Sequence, residues 1–249
     1  MAENLNQSFV HGAIRGPVIS IRQVLDGPPH DGDLGKGLLF RTNRGDIPAI
    51  LHEAPEAHLG VIWVGGARGG FGGPAKGIYP RLAEAFKDKG ISSLRLNYRQ
   101  PNDFPECALD LLAGIDYFKS AGYGPVALVG HSFGGAVVIA AGAVSPYVRG
   151  VVSLSPQTYG AHMAGLLSPR PLLVVHGKSD TRLPYTCGVQ IYSWAKEPKQ
   201  LVLYDGAEHR LEECREELET LLGEWIPATL AQTDEGRETK DRCGPLNQY

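Results

Sequence analysis

The sequence predicts an α/β protein: a mostly parallel sheet with helices on both faces. Three observations lead there. Short, wholly apolar runs at 61–64, 126–129 and 172–175 have the length and composition of strands buried on both sides. Between them lie stretches with apolar residues at helical spacing, such as Ile78, Leu82, Ala85 and Phe86, or Ala108, Leu111, Leu112, Ile115 and Phe118. Apolar content of 43% with 20% charged residues is that of an ordinary globular chain, so these runs belong to a core.

Taken in order, the first sixty residues read as loops and short strands. Residues 18–24 and 47–52 are β-like, with Gly27-Pro28-Pro29 and Asn43-Arg44-Gly45-Asp46 as turns. From Gly60 the alternation is regular. A strand at 61–64 precedes the helix around Ile78, and a strand at 91–96 precedes the helix around Leu111. A strand at 126–129 precedes a helix of small residues at 136–143. Further strands are expected at 148–154, 172–175 and 200–204, with helices around 159–166 and 185–195. The last helix, 211–225, carries Leu211, Cys214, Leu218, Leu221, Leu222 and Trp225 on one stripe and turns its glutamates to solvent. There is no internal repeat. The expected organisation is one domain over 1–227 and a polar tail over 228–249.

Several function classes are disfavoured. A net charge of −3 offers no footprint for nucleic acid or for an anionic membrane surface. No apolar run approaches the roughly 18 residues of a membrane span. Cys107, Cys187, Cys214 and Cys243 form no CxxC pair, so neither a zinc site nor a redox motif is expected. Sparse cysteines suit a reducing compartment. Residues 1–10 lack the charged start and apolar core of a secretory signal, so a cytoplasmic location is expected. No pattern specifies an oligomeric state.

The chemistry is concentrated in Gly130-His131-Ser132-Phe133-Gly134, which matches G-x-S-x-G. An apolar strand precedes it and a small-residue helix follows. That arrangement turns the chain sharply and leaves Ser132 exposed at the apex, with the Phe133 N–H free to donate to a developing oxyanion. A serine hydroxyl needs a base, and the base an orienting carboxylate. Both follow in order, each just past a strand: Asp180 after 171–177 and His209 after 200–204. Strand C-termini of a parallel sheet share one edge, where Ser132, Asp180 and His209 would converge. Asp205 is a rival acid, and His131, His162 and His176 are rival bases. His131 should point away from the hydroxyl, and His176 reads as structural.

Three markers, Gly-His-Ser-Phe-Gly-Gly, His-Gly-Lys-Ser-Asp-Thr-Arg-Leu-Pro and Gly-Ala-Glu-His, resemble those of the α/β-hydrolase superfamily over residues 60–225. The resemblance implies an α/β-hydrolase fold with Ser132, Asp180 and His209 as its triad. The compact dienelactone-hydrolase-like and carboxylesterase-like group is the most similar. Dienelactone hydrolases use cysteine where this chain has Ser132, which argues against a dienelactone substrate. Relatives also carry His-Gly after the strand at 61–64, where this chain has Gly65-Gly66. That alignment makes the Ala67 N–H the second oxyanion donor, with Arg68 one position off as the alternative. Gly66 and Arg68 are candidate substrate contacts. Gly70-Phe-Gly-Gly-Pro-Ala75 fits the dinucleotide pattern G-x-G-x-x-A, but the next strand ends at Asn97 rather than at an acid that would hold a ribose.

Only about sixteen residues, 155–170, separate two strands where relatives insert a cap, so no large cap domain is expected. Arg68, Arg95 and Arg99 are candidates for the rim, although surface arginines are common. The sequence therefore reads as a serine hydrolase that cleaves an ester or thioester of a small-molecule acyl substrate, without metal or organic cofactor. An acyltransferase or peptidase on the same triad is one alternative. A non-catalytic hydrolase-fold binding protein is another.

Overall fold

The computed structural model describes residues 18–28, 32–55 and 57–232. The N-terminal segment, Cys243 and the tail beyond residue 232 lie outside them. Among the described residues no helix is long and apolar enough to cross a membrane.

Nine strands form one sheet in the order β1-β2-β3-β5-β4-β6-β7-β8-β9. β1 (Ile21–Asp26), β2 (Lys36–Thr42) and β3 (Gly45–His52) form an antiparallel meander, and β3 runs antiparallel to β5 (Ile91–Leu96). From β5 onward, β4 (Leu59–Val64), β6 (Val126–His131), β7 (Val148–Leu154), β8 (Leu172–Gly177) and β9 (Lys199–Tyr204) are all parallel. The chain leaves β4 for β5 on one side and returns to β6 on the other. That reversal opens a crevice at the C-terminal ends of β4 and β6.

Period-two alternation divides the core. Ile62 and Val64 point to one face with Leu94, Leu128 and Val174, under α2 (Phe104–Ser120), α3 (Phe133–Val144) and α4 (Thr186–Trp194). Val61 and Trp63 point to the other with Val129, Val152 and Val175, under α1 (Pro74–Ala85) and α5 (Arg215–Leu230). The strands read as continuous apolar runs because both faces are covered. The helix of small residues, α3, is buried almost throughout, since small side chains let it lie close to the sheet. Asp103 caps α2 by accepting the Glu106 N–H at 3.1 Å.

The structure departs from the sequence expectations at the margins. β1 starts three residues later than expected, and β2 was not anticipated: Gly37 and Arg41 hide its Leu38-Leu39-Phe40 core from a pattern search. The expected helix at 159–166 is a short 3₁₀ turn, Ala161–Leu166, entered through Gly160 at φ 86°. α5 starts at Arg215, because Leu211 lies at φ 55°, and it runs through Pro227 to Leu230. The predicted absence of a cap holds, since 155–170 contains only that 3₁₀ turn.

Arg95 and Arg99 are not rim residues. Arg95 is 1% exposed on β5 and pairs with Asp33, while its Nε donates to His52 Nε2 at 3.2 Å and its Nη1 to the Phe71 carbonyl at 3.1 Å. Arg99 pairs with Asp110 and, at 2.8 Å, with Glu106. Strand β5 alternates its side chains, which carries Arg95 inside, where it must find acceptors for its donors. Burial pushes the Asp33 carboxyl up, but the bonds from Arg95 and from the Gly35 N–H outweigh it and hold it below the usual range.

Replacing Asp33 by Ala leaves a buried guanidinium without its counter-charge and should cost about 3 kcal/mol in urea melts at neutral pH. The carboxyl is depressed in the folded state. The wild-type advantage should therefore be complete above the unfolded value of about 3.9 and fade as pH falls through the folded one.

Candidate active site

Ser132 follows the last residue of β6 and precedes α3. Its backbone lies at φ 59°, ψ −118°, a conformation that L residues other than glycine adopt only under strain. The flanking glycines permit it. A methyl on Gly130 would stand 2.1 Å from the Gly134 oxygen, and one on Gly134 would stand 2.1 Å from the Gly65 oxygen. Residues Gly130, Gly134 and Gly65 thus let three backbone segments pack where side chains would collide.

The three residues expected to converge do so. Ser132 Oγ lies 3.0 Å from His209 Nε2, and His209 Nδ1 lies 2.7 Å from Asp180 Oδ2. Asp180 Oδ1 accepts the N–H groups of Arg182 and Leu183, both at 2.8 Å. Burial pushes the Asp180 carboxyl up, yet these N–H donors and His209 more than offset it and keep it below the usual range. An ionised Asp180 then fixes the His209 proton on Nδ1 and leaves Nε2 free to accept from the hydroxyl.

The loops carrying acid and histidine are knitted together. The Ser179 N–H donates to the Ala207 carbonyl at 3.0 Å, and the Thr181 N–H and hydroxyl donate to Glu208 Oε2 at 3.0 and 3.1 Å. The Arg210 carbonyl accepts the Ala75 N–H at 2.8 Å, which ties the histidine loop to the start of α1.

The rival residues lie elsewhere or serve differently. Asp205 is exposed and pairs with Lys178 at 2.8 Å. His162 is exposed on the short 3₁₀ turn. His131 faces the site, but its Nε2 lies 2.9 Å from the His209 carbonyl rather than on Ser132 Oγ. Burial, reinforced by the charges of His209 and Arg210, pushes His131 down to about 4, so it is neutral and donates that bond. His176 is fully buried against Asp180.

Gly65, Gly66, Ala67 and Arg68 form one wall of a cavity of about 320 Å³ that holds Ser132 and His209. Neither the Ala67 nor the Phe133 N–H meets a carbonyl among the described residues, and Phe133 opens α3, where first-turn N–H groups have no intrahelical acceptor. The Gly66–Gly69 turn closes on itself through the Gly69 N–H and the Gly66 carbonyl at 2.8 Å. Asn97 Oδ1 accepts the Gly70 N–H at 2.8 Å, and the Tyr98 hydroxyl donates to the Gly65 carbonyl at 3.1 Å. With Arg95 on Phe71, three residues at or just past the end of β5 hold this loop.

Two further arginines line the cavity, Arg182 and Arg210, and no acidic side chain does. Each stands within two residues of Asp180 or His209, so the sequence signal for them was adjacency to the expected triad. The signal for the Asn97 and Tyr98 ties was absent, because they act on a loop distant in sequence. Among the described residues no group of three or more His, Cys, Asp or Glu is placed to hold a metal ion.

A sequence profile of the Alpha/beta hydrolase family matches residues 44–236. The chain belongs to that family. A segment of 50 residues is 44% identical to the Escherichia coli K12 protein YfhR, described as uncharacterized; it spans 20% of this chain and 18% of that one. Solved family folds superpose more widely. Est1E of Butyrivibrio proteoclasticus matches with a TM-score of 0.67 at 19% identity, over 80% of this chain and 100% of its own. XC6422 of Xanthomonas campestris, described as a serine hydrolase without lid, matches with a TM-score of 0.63 at 18% identity, over 83% and 100%. A dienelactone hydrolase of Anabaena variabilis matches with a TM-score of 0.65 at 19% identity, over 76% and 94%. At these identities the likeness is one of fold, and it is to capless, esterase-like members of the family.

Gly134→Ala tests the tight packing of the elbow. A helical glycine-to-alanine change on its own would stabilise by about 1 kcal/mol. Here the methyl meets a backbone oxygen that cannot rotate away, so denaturant melts should show a net loss of about 2 kcal/mol.

Proposed function

We propose that this hydrolase-family chain is a serine hydrolase that cleaves an ester or thioester of a small acyl substrate through an acyl-enzyme. The observation that carries the reading is the relay itself: Ser132 Oγ to His209 Nε2 at 3.0 Å, and His209 Nδ1 to Asp180 at 2.7 Å, with the serine in a strained turn at the cavity wall.

Ser132 Oγ attacks the substrate carbonyl and passes its proton to His209 Nε2. Negative charge develops on the carbonyl oxygen, and the N–H groups of Phe133 and Ala67 receive it. Collapse expels the alcohol or thiol, which takes the proton from His209. Water then gives a proton to His209 and attacks the Ser132 ester; collapse breaks the bond to Ser132 Oγ, which takes that proton back from His209, and the acid is released. Asp180 holds the imidazole tautomer and steadies the imidazolium in both halves. Gly66 leaves room beside Ser132, where an added side-chain carbon would approach Ser132 Cβ to 3.6 Å. The residues of the relay need neither metal nor organic cofactor for these steps.

A fluorophosphonate probe separates this reading from that of a non-catalytic hydrolase-fold binding protein. The wild type should be labelled at one site and Ser132→Ala should not. A wild type that stays unlabelled, or a variant labelled equally, would sink the assignment. Release of a nitrophenol from short-chain nitrophenyl esters, with water as the sole acceptor, distinguishes hydrolysis from acyl transfer.

The cavity mouth adds a preference. Arg68, Arg182 and Arg210 line it and no acidic residue does, although the Arg210 Nε also pairs with Glu212 at 3.1 Å; Arg68 is part of the loop that supplies the Ala67 N–H. The reading therefore includes a substrate with an anionic substituent on its acyl or leaving group. A charge-assisted hydrogen bond of about 1.5–3 kcal/mol makes the expected effect of Arg68→Gln about a tenfold fall in kcat/KM for an acidic ester. Its neutral analogue should be little affected, and added salt should erode the difference.

A further inference from the structure

We infer that His176 is a positioning residue for this relay, a second histidine that holds Asp180 in the orientation His209 requires. The inference rests on the serine-hydrolase reading and deepens it. His176 is the penultimate residue of β8, just ahead of the acid loop, and its side chain is completely buried. Its Nε2 lies 3.1 Å from Asp180 Oδ2 and 3.0 Å from the Leu183 carbonyl. Both neighbours are acceptors, so the proton sits on Nε2 and is shared between them. The other ring nitrogen, Nδ1, is buried without a partner, as an unprotonated nitrogen can be at the lowest cost. Burial lowers the basicity of the ring, which favours the same neutral form.

The consequence is a saturated carboxylate. A carboxylate offers about four lone-pair directions. Asp180 Oδ1 takes the N–H groups of Arg182 and Leu183, and Oδ2 takes His209 and His176. All four are occupied by N–H donors, so the side chain cannot turn without breaking at least one bond. His176 acts on both oxygens, directly on Oδ2 and indirectly on Oδ1, because the Leu183 carbonyl it holds belongs to the turn whose N–H groups bind Oδ1. It also draws on the negative charge that Asp180 offers to His209. The ionisable groups around this corner are Asp180 on the same loop, His209 on the loop after β9 and the Cys187 thiol at the start of α4. Gly188 closes the corner, where an added side-chain carbon would meet His176 Nδ1 at 2.9 Å.

The experiment compares wild type, H176L and H176Q in the full chain, with fluorophosphonate labelling of the wild type as the entry condition. An unlabelled wild type defeats the serine-hydrolase reading, and this inference with it. With labelling in place, H176L should lower kcat about tenfold with KM little changed. Its acid limb of kcat/KM should move to higher pH, because an Asp180 that has lost a donor stabilises the His209 imidazolium more. H176Q, whose amide can reach the position of the imidazole Nε2–H, should recover most of kcat and return the limb toward the wild type. A folded H176L with wild-type kcat and an unmoved acid limb overturns the positioning role and leaves the relay intact. Should H176L fail to fold, nitrogen NMR of the wild-type histidine rings decides. A neutral His176 with its proton on Nε2 at neutral pH supports the inference, and a proton on Nδ1 overturns it.

Discussion

The backbone of the turn after β4 passes so close to the first turn of α3 that a methyl on Gly134 would stand 2.1 Å from the Gly65 oxygen. This close approach governs the site. It sets the end of β4 against the end of β6, so that Gly66 and Ala67 stand beside Ser132 rather than a side-chain width away. The same Gly65 oxygen accepts the Tyr98 hydroxyl at 3.1 Å, which brings the end of β5 to the same point. Three segments distant in sequence therefore meet at one carbonyl, where the sheet reverses its order. A cavity at that reversal is what the topology of an open parallel sheet favours.

Buried charge supports the arrangement from behind. An arginine inside a protein is tolerated only when its donors are satisfied. Arg95 meets that requirement with Asp33, His52 and the Phe71 carbonyl, and the last of these lies in the glycine-rich loop whose flanking residues line the cavity. The antiparallel meander β1–β3 thus does more than extend the sheet. His52 at the end of β3, with Asp33 just ahead of β2, anchors the cation that holds the loop. Stability of the peripheral strands and the shape of the site are coupled through one guanidinium.

How much of this was legible in the sequence follows from the range of each signal. The alternation of apolar runs and amphipathic stretches is local, and the six parallel strands β4–β9 were readable from it. The positions of Ser132, Asp180 and His209 were readable too, since each stands just beyond a recognisable strand end. β2 was missed because only Leu38, Leu39 and Phe40 of its seven residues are apolar, flanked by Lys36-Gly37 and Arg41-Thr42. The start of α5 was misread because Leu211 continues the apolar stripe while its backbone, at φ 55°, is not helical. Arg95 and Arg99 were placed at the rim because a sequence shows charge but not which side chains, 7 to 62 residues away, absorb it. The contacts of His176 were equally hidden: a histidine at the end of a buried strand looks structural until the acid four residues later folds back onto it.

The distribution of charge around His209 completes the argument. Arginines 68, 182 and 210 line the cavity in front, and Asp180 lies buried behind the imidazole. In the proposed mechanism the cations in front favour a developing oxyanion and an anionic substrate, but they oppose the positive charge that proton transfer from Ser132 would place on the His209 ring. The neighbouring His131 feels both influences, pushed down by Arg210 and pulled up by Asp180. A carboxylate directly behind the ring, screened from solvent and touching it at 2.7 Å, opposes the more distant and better hydrated arginines at closer range. The four N–H donors around Asp180 keep that charge ionised and in place. In the proposed mechanism a firmly held Asp180 offsets the cationic mouth, so the packing behind the histidine and the charge in front of it belong to one electrostatic arrangement.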